Sequence, residues 1–409
     1  MENGNMAEYK VKWFASEMQG APSLGDTTAG ALVALLKSVL VTGFGSLTIN
    51  ALAFDAAKGW AVATFTGGHA YQLDSVIQVD GVLPAAYNGE HRVMLVTATQ
   101  VWFELDGGNP GAPGTGAAMT MKVAPLGWTL THESGDGKVI IVRPTNVNES
   151  GNVSWRFDNT AFSGWTGSNA WGYGAYFAKV AMVEDVVDIN TFTTILEHRW
   201  PATQRFSAKV WDFVGDNQML YWLPATSAAS YQAIFCMGYI RTIRPGDRYH
   251  AVLCHSSTTN AGDNLISWGV RDQPGGVNNS GTPLTSFDQP GQKVIARPYH
   301  QLFGSTSWWL KGLFGRFGNG LSVPNGSDNG FYFSTDPIMV IENGNHLRGY
   351  MPGFVVPYGD VIAWHRKNFG DLPALPGKKV RFIRGLYQAN IQGVDARSLI
   401  GFDIIGPWR

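Results

Sequence analysis

The sequence predicts a mainly β protein, built as several linked antiparallel β-sandwich or barrel-like modules with one N-terminal amphipathic helix. Three observations carry that reading. Short apolar or alternating runs recur along most of the chain, bounded by turn-forming residues. Glycine is abundant, at 50 of 409 residues, which suits many tight turns. One stretch alone, near the start, follows a good helical period.

That stretch is DTTAGALVALLKSVLVTGFG. Leu32, Leu35, Leu36, Val39 and Leu40 fall on one helical face. Asp26, Thr27 or Thr28 can cap the start, and Gly43 can end the helix. A helix packed on a sheet is expected, with a partner-binding amphipathic helix as the sharper alternative.

The pattern then turns to β. WAVATFTG, SVIQVDGV and HRVMLVTATQVWFEL alternate or run apolar. Asn88-Gly89 is a short turn signal, since both residues tolerate positive φ. Val93 and Leu95, then Val101 and Phe103, can alternate faces on two strands flanking residues 97–100. Residues 106–116 (DGGNPGAPGTG) are too rich in Gly and Pro for a regular element and read as an exposed loop. MTMKVAPLGWTLTHES and KVIIVRP complete a first unit, 1–145.

A central unit, 146–290, opens with VSWRFDNT. Residues 188–198 (DINTFTTILEH) read as a short helix of poor polar pattern. AKVWDFVGDNQMLYWLP folds around Gly215-Asp216, and YQAIFCMGYIRTIRPGDRYHAVLCHS around Pro245-Gly246-Asp247. A loop spans 268–290. The C-terminal unit, 291–409, carries strands at QKVIARPY, FYFSTDPIMVIE and KKVRFIRGLY. The length itself suggests roughly two to four domains.

Composition narrows function. Charged residues are 15% of the chain, against about a quarter in ordinary globular proteins, and there are 15 Trp. Such a chain either covers part of its surface with neighbours or is simply an all-β fold of many turns. Net charge is −1 with no basic stripe, so nucleic-acid binding lacks electrostatic support. Cys236 and Cys254 read as two reduced, buried thiols. Residues 1–13 show no signal-peptide pattern, and the longest apolar run, 29–41, contains Lys37 and is too short to span a bilayer. A soluble protein made in a cytoplasm, with no membrane insertion, is expected.

Catalytic patterns are weak throughout. GDGK at 135–138 lacks the spacing of a phosphate-binding loop and reads as a β-turn. WGYGAYF at 171–177 lacks the third glycine and following helix of a dinucleotide site. In CHSS at 254–257, the adjacent Cys and His would point to opposite strand faces, poor placement for a nucleophile and base. No zinc spacing or calcium loop occurs, and Asp328-Asn329-Gly330 reads as a turn. No cofactor, metal or catalytic residue is assigned, and the chain is read as no enzyme.

One segment is different. STSWWLKGLFGRFGNG at 305–320 sets Trp308, Trp309, Leu310, Phe314 and Phe317 among glycines. These are the candidate interface residues, on a loop docking onto another chain. Folding back over the domain's own core, or stacking on a sugar, are the alternatives.

FTGGHAYQLDSVIQVDGVLPAAYNGEHRVMLVTATQVWFEL resembles a segment of tail- and baseplate-type structural virion proteins of tailed bacteriophages. The likeness rests on His69, Val76, Ile77, Val79, Gly81, Asn88, Gly89 and Val93. MKVAPLGW continues it through Ala124, Pro125, Gly127 and Trp128. VIARPYHQ, VPNGSDNGFYF and HLRGYMPGF resemble the C-terminal part through Arg297, Pro324, Asn325, Gly330, Arg348, Gly349, Pro352 and Gly353. A Gly-Asn-Pro-Gly-Ala-Pro-Gly loop replaces the usual proline-alanine stretch before MKVAPLGW. The resemblance implies a non-enzymatic component of the virion, in the tail or baseplate, made in the host cytoplasm. Its partners would be other virion proteins, and a homo-oligomer, trimer or ring, is expected from particle symmetry. The alternatives are a head decoration or head-fibre protein, and a tail-tip protein recognising a host-surface glycan or receptor.

Overall fold

In a computed structural model, the residues described are 11–24, 28–146, 151–160, 177–202, 210–225, 232, 234–255, 293–300, 309–311, 324–334, 337–342, 346–357, 359, 361–391 and 394–409. Their β-rich runs form five sheets, each antiparallel throughout, and none closes into a barrel.

A six-stranded sheet forms the middle layer. Its strands lie in the order Lys12–Ala15, Trp211–Gly215, Met219–Pro224, Phe235–Tyr239, Ala251–Cys254 and Lys293–Ile295. The sequences WDFVG, MLYWLP, FCMGY and AVLC are buried at every position. An antiparallel sheet with one wet face would alternate polar and apolar; near-continuous apolar runs mean that both faces are covered.

Alternation along Met219–Pro224 shows what covers them. Trp222 packs its ring at 5.3 Å from Trp200 and 5.5 Å from Phe235, while its neighbour Tyr221 meets Phe354, Phe402 and Trp408 at 4.9, 5.3 and 5.7 Å. Trp200 belongs to a five-stranded sheet ordered Thr193–Pro201, Phe177–Glu184, Ser154–Asp158, Val139–Arg143 and Thr129–Glu133. Phe354 and Phe402 belong to a second five-stranded sheet ordered Phe333–Ser334, Phe354–Pro357, Val394–Asp403, Val380–Ile391 and Lys367–Phe369. Three sheets are therefore stacked face to face, in the manner of sandwiches sharing a middle layer.

A seven-stranded sheet adjoins this stack, ordered Phe44–Thr48, Thr120–Val123, Val76–Asp80, Gly89–Val96, Gln100–Phe103, Trp60–Thr64 and Ala51–Asp55. Phe44 joins it to the middle sheet, lying 6.1 Å from Phe14 and 6.4 Å from Trp211. A four-stranded sheet, Arg241–Thr242, His346–Met351, Ile338–Glu342 and Trp309–Lys311, completes the set. The largest apolar cluster runs from Val11 to Trp408.

Hydrogen-bonded strand pairs cross both boundaries drawn from sequence. Lys12–Ala15 pairs with Trp211–Gly215 across position 145, and Ala251–Cys254 pairs with Lys293–Ile295 across position 290.

The helix is present over Ala31–Lys37 and continues as a π-helical turn, Ser38–Thr42. Leu32, Leu35, Leu36, Val39 and Leu40 are all buried, as the spacing predicts. Its cap differs from expectation. Asp26 and Thr27 lie outside the described residues, and Gly30 occupies the cap position with no side-chain bond. The Leu32 amide instead donates to Asn159 Oδ1 at 3.1 Å, a cap supplied from 127 residues away. Gly43 ends the helix at φ 71°, and a Cβ there would come within 2.4 Å of the Val123 carbonyl.

Two local expectations are corrected. Residues 188–198 hold no helix: Thr193–Pro201 is a strand paired with Phe177–Glu184, following an Asp188 turn whose carboxylate accepts from the Asn190 and Thr191 amides. Thr193, Thr194 and Ile195 are β-branched, and an available partner strand outweighs a weak helical pattern. Asn88 is extended, at φ −78°, with only Gly89 at positive φ; Asn88 works through its side chain, bonding both the amide and the carbonyl of Val82.

Other expectations hold. Gly89–Val96 and Gln100–Phe103 form a hairpin, residues 134–137 make a turn, and Asn329 sits at φ 60° within a turn closed by Asp328. Cys236 and Cys254 are buried thiols outside any disulfide, and they are register partners on adjacent strands.

Candidate functional site

Apolar strands carry a few charged residues, and burial forces those to find partners. Asp212, inside WDFVG, is fully buried on the second strand of the middle sheet. Its Oδ1 accepts from Arg381 Nε at 2.9 Å, and its Oδ2 from Arg366 Nε at 2.7 Å and Gln232 Nε2 at 2.6 Å. Burial pushes the carboxyl upward, but Arg381, then Arg366, then hydrogen bonds from Arg366 and Gln232 outweigh it, so it is held below its ordinary range. Arg381 also stacks its guanidinium over Trp13 at 4.3 Å. This cluster clamps the middle sheet to the C-terminal sheet.

A second cluster joins three other parts. Arg348 is buried between Glu342, at 2.8 Å, and Asp247, whose Oδ2 accepts from Arg348 Nε at 3.1 Å. Arg348 also donates to the carbonyl of Arg297 at 2.7 Å. Arg297 pairs with Glu184 of the Trp200-bearing sheet and stacks over the Tyr249 ring at 3.8 Å. The Tyr249 hydroxyl donates to Glu184 at 3.0 Å. Lys12, nearly buried, makes a third tie, its Nζ 2.5 Å from Glu90 of the seven-stranded sheet.

A cleft of about 410 Å³ opens at one end of the middle sheet. Three segments line it: the hairpin turn at 216–218, residues 240–242 after a strand end, and Pro407, Trp408 and Arg409. Asp216 is saturated. It accepts from the amides of Gln218 and Met219 at 2.8 and 2.6 Å and from Arg409 Nε at 2.9 Å. Arg409 is further fixed by the Tyr239 carbonyl at 2.6 Å. His250 also lines the cleft; its Nδ1 meets the Asp247 carbonyl, which makes it the donor and leaves Nε2 as an acceptor. Burial pushes the imidazole below its ordinary range, so it is neutral near pH 7. Gln218 is 1% exposed, and among the described residues neither its Oε1 nor its Nε2 has a partner.

No family model matches the chain, and no curated protein matches it.

Of the interface residues read from sequence, Trp308, Phe314 and Phe317 lie outside the described residues, as does the 268–290 loop. Trp309 and Leu310 form part of a short strand, their backbones in register with Ile341 and Val340. CHSS places Cys254 at a buried strand end, and His255 stacks on His198 with ring centroids 3.6 Å apart. Among the described residues no three His, Cys, Asp or Glu side chains gather as a metal site, and no helix is long and apolar enough to cross a membrane.

Sequence reading passed over Asp212, Asp247, Arg381 and the cleft. A signal existed for the first and third: a lone charge inside WDFVG and another inside VRFIR break apolar strands, and such residues must be paired when buried. The cleft left no signal, because one of its walls, 407–409, comes from more than 150 residues beyond the others in the chain.

Proposed function

We propose that the protein is a non-enzymatic structural component of a tailed-phage virion, in the tail or baseplate, acting through subunit–subunit interfaces. One observation carries the reading: three of the residues resembling phage structural proteins, Arg297, Arg348 and Trp128, sit at joints between sheets. Arg348 and Arg297 are the centre of the second charge cluster. Trp128 donates its indole N–H to the Asp216 carbonyl at 3.2 Å, tying the segment after the seven-stranded sheet to the middle sheet. Asn88 closes the loop after Val82, and His69 Nε2 bonds the Gln100 carbonyl at 3.1 Å. Residues kept for chemistry would open onto a cleft; Arg297, Arg348 and Trp128 are instead spent on holding sheets together, and Asn88 and His69 on bracing one sheet from within. A stack so braced keeps its outer faces in fixed relation, which repeated assembly requires. Leu83, Val187 and Ile362 are large apolar side chains left exposed for contact with neighbours.

Immunogold labelling of intact particles of the phage encoding the chain tests the reading. Gold on the tail or baseplate is the expected result. Gold on the capsid would move the protein to head decoration, and particles lacking the chain would overturn a virion role.

A further inference from the structure

We propose that Cys236 and Cys254 form a reversible disulfide across two strands of the middle sheet, closed when the chain folds in an oxidising thiol–disulfide buffer. The bridge does not depend on the virion reading. Only its timing does, since a particle leaves the reducing cytoplasm in which its parts are made.

The chain has two cysteines in 409 residues, and the fold sets them directly opposite each other, on Phe235–Tyr239 and Ala251–Cys254. Directly opposed residues of an antiparallel pair turn their side chains to the same face. That face is the one of Tyr221, the register partner of Cys236 on the next strand, which packs against Phe354, Phe402 and Trp408.

Register also sets the separation. The Ile240 amide donates to the His250 carbonyl at 3.1 Å, which makes 240 and 250 a hydrogen-bonded pair. Such pairs recur at every second position, and the register runs without a shift from Tyr239 back to Cys236, so 236 and 254 form another. Hydrogen-bonded pairs hold their Cα atoms about 5.5 Å apart, inside the range of about 4.4–6.8 Å that a disulfide spans. Their Cβ atoms stand at about 4.5–5.5 Å, slightly wider than a disulfide prefers, so closure draws the two strands together and leaves the bond reducible.

Both thiols are fully buried in the finished sheet, so exchange takes place while the strands are pairing. One cysteine thiolate attacks glutathione disulfide and releases one glutathione as its thiol. The other then attacks the protein sulfur of the mixed disulfide and releases the second glutathione. The chain's two thiols are oxidised and one glutathione disulfide is reduced. Strand pairing favours the second step, because a buried sulfur leaves no room for the bound tripeptide and the opposed thiol is already in place. The bridge closes a loop over 236–254 and stabilises chiefly by restricting the unfolded chain.

The full chain is synthesised in a cell-free system over a series of oxidised-to-reduced glutathione ratios, and a parallel series is equilibrated in urea. Remaining thiols are blocked with N-ethylmaleimide in denaturant and counted by intact mass. The folded chain is expected to lose two hydrogens and carry no maleimide, half of it being bridged at a ratio about tenfold more reducing than in urea. Its unfolding midpoint should lie above that of the reduced chain. Two maleimides per chain at every ratio, glutathione adducts, or disulfides between chains overturn the proposal. So does half-bridging at the same ratio in the folded chain and in urea. None of these outcomes bears on where the chain sits in a particle, which immunogold labelling decides.

Discussion

Replacing Asp212 by asparagine keeps the shape of the side chain and removes its charge. Two guanidinium groups then remain against a neutral amide, one of them, Arg381, only 2% exposed. Breaking a buried ion pair by deleting one partner costs about 3–5 kcal/mol. The lower end applies here, because Glu17 still reaches both arginines and Asn368 Oδ1 still accepts from Arg381 at 3.0 Å. A loss of about 3 kcal/mol is therefore expected for Asp212→Asn. The triple variant Asp212→Leu, Arg366→Met, Arg381→Met removes every member of the central pairs and should be less destabilised than the single change. Urea unfolding followed by tryptophan fluorescence measures the first quantity. Hydrogen exchange of the amides in Trp211–Gly215 and Val380–Ile391 places it at the joint between the two sheets. Acid gives an independent check. The folded carboxyl lies below its unfolded value, so its contribution is present above about pH 4 and is lost as pH falls through the folded value. Asp212→Asn should therefore flatten the acid limb of the stability curve. A change under about 1 kcal/mol with an unaltered acid limb would refute the idea that this carboxylate neutralises the joint.

His198 is pushed down to about 4 by burial, with Arg199 adding to the effect. The unfolded chain binds the proton first, so stability should fall by about 1.5 kcal/mol as pH drops from about 6.5 to 4, less than the full displacement because solvent screens a partly exposed ring. His198→Gln should remove that slope in thermal unfolding across the same pH window. Gly353 stands at φ 81°, and a Cβ there would lie 2.3 Å from the Trp408 ring. Gly353→Ala should cost about 2 kcal/mol in urea unfolding and displace Trp408, read as a shift in tryptophan emission. The fully buried Cys236 and Cys254 should resist a thiol reagent in the native protein and react as two thiols after denaturation; unreactivity in denaturant would mean that they are bridged.

Much of the fold was legible because strands advertise themselves locally. Period-two alternation in HRVMLV and QVWF, turn residues at 134–137, and the five-residue apolar face of the helix depend on nearest neighbours in sequence. The failures share one cause. Thr193–Pro201 became a strand because Phe177–Glu184 lies beside it, and the helix was capped by Asn159 where a local Asp or Thr was expected. In both, a partner remote in sequence outweighed a local preference.

The amino-acid sequence by itself determined the class of structure: that most segments are strands, where many of the turns fall, and that few charges are available. Backbone pleating and side-chain periodicity are short-range properties, so they can be read without knowing the fold. Only the tertiary structure decided which strands share a sheet, that the middle sheet is covered on both faces, and that Asp212 meets Arg381 across 169 residues. It alone assembled the walls of the cleft, because a site's chemistry depends on distances in space, and those are set by long-range packing that the order of residues does not display.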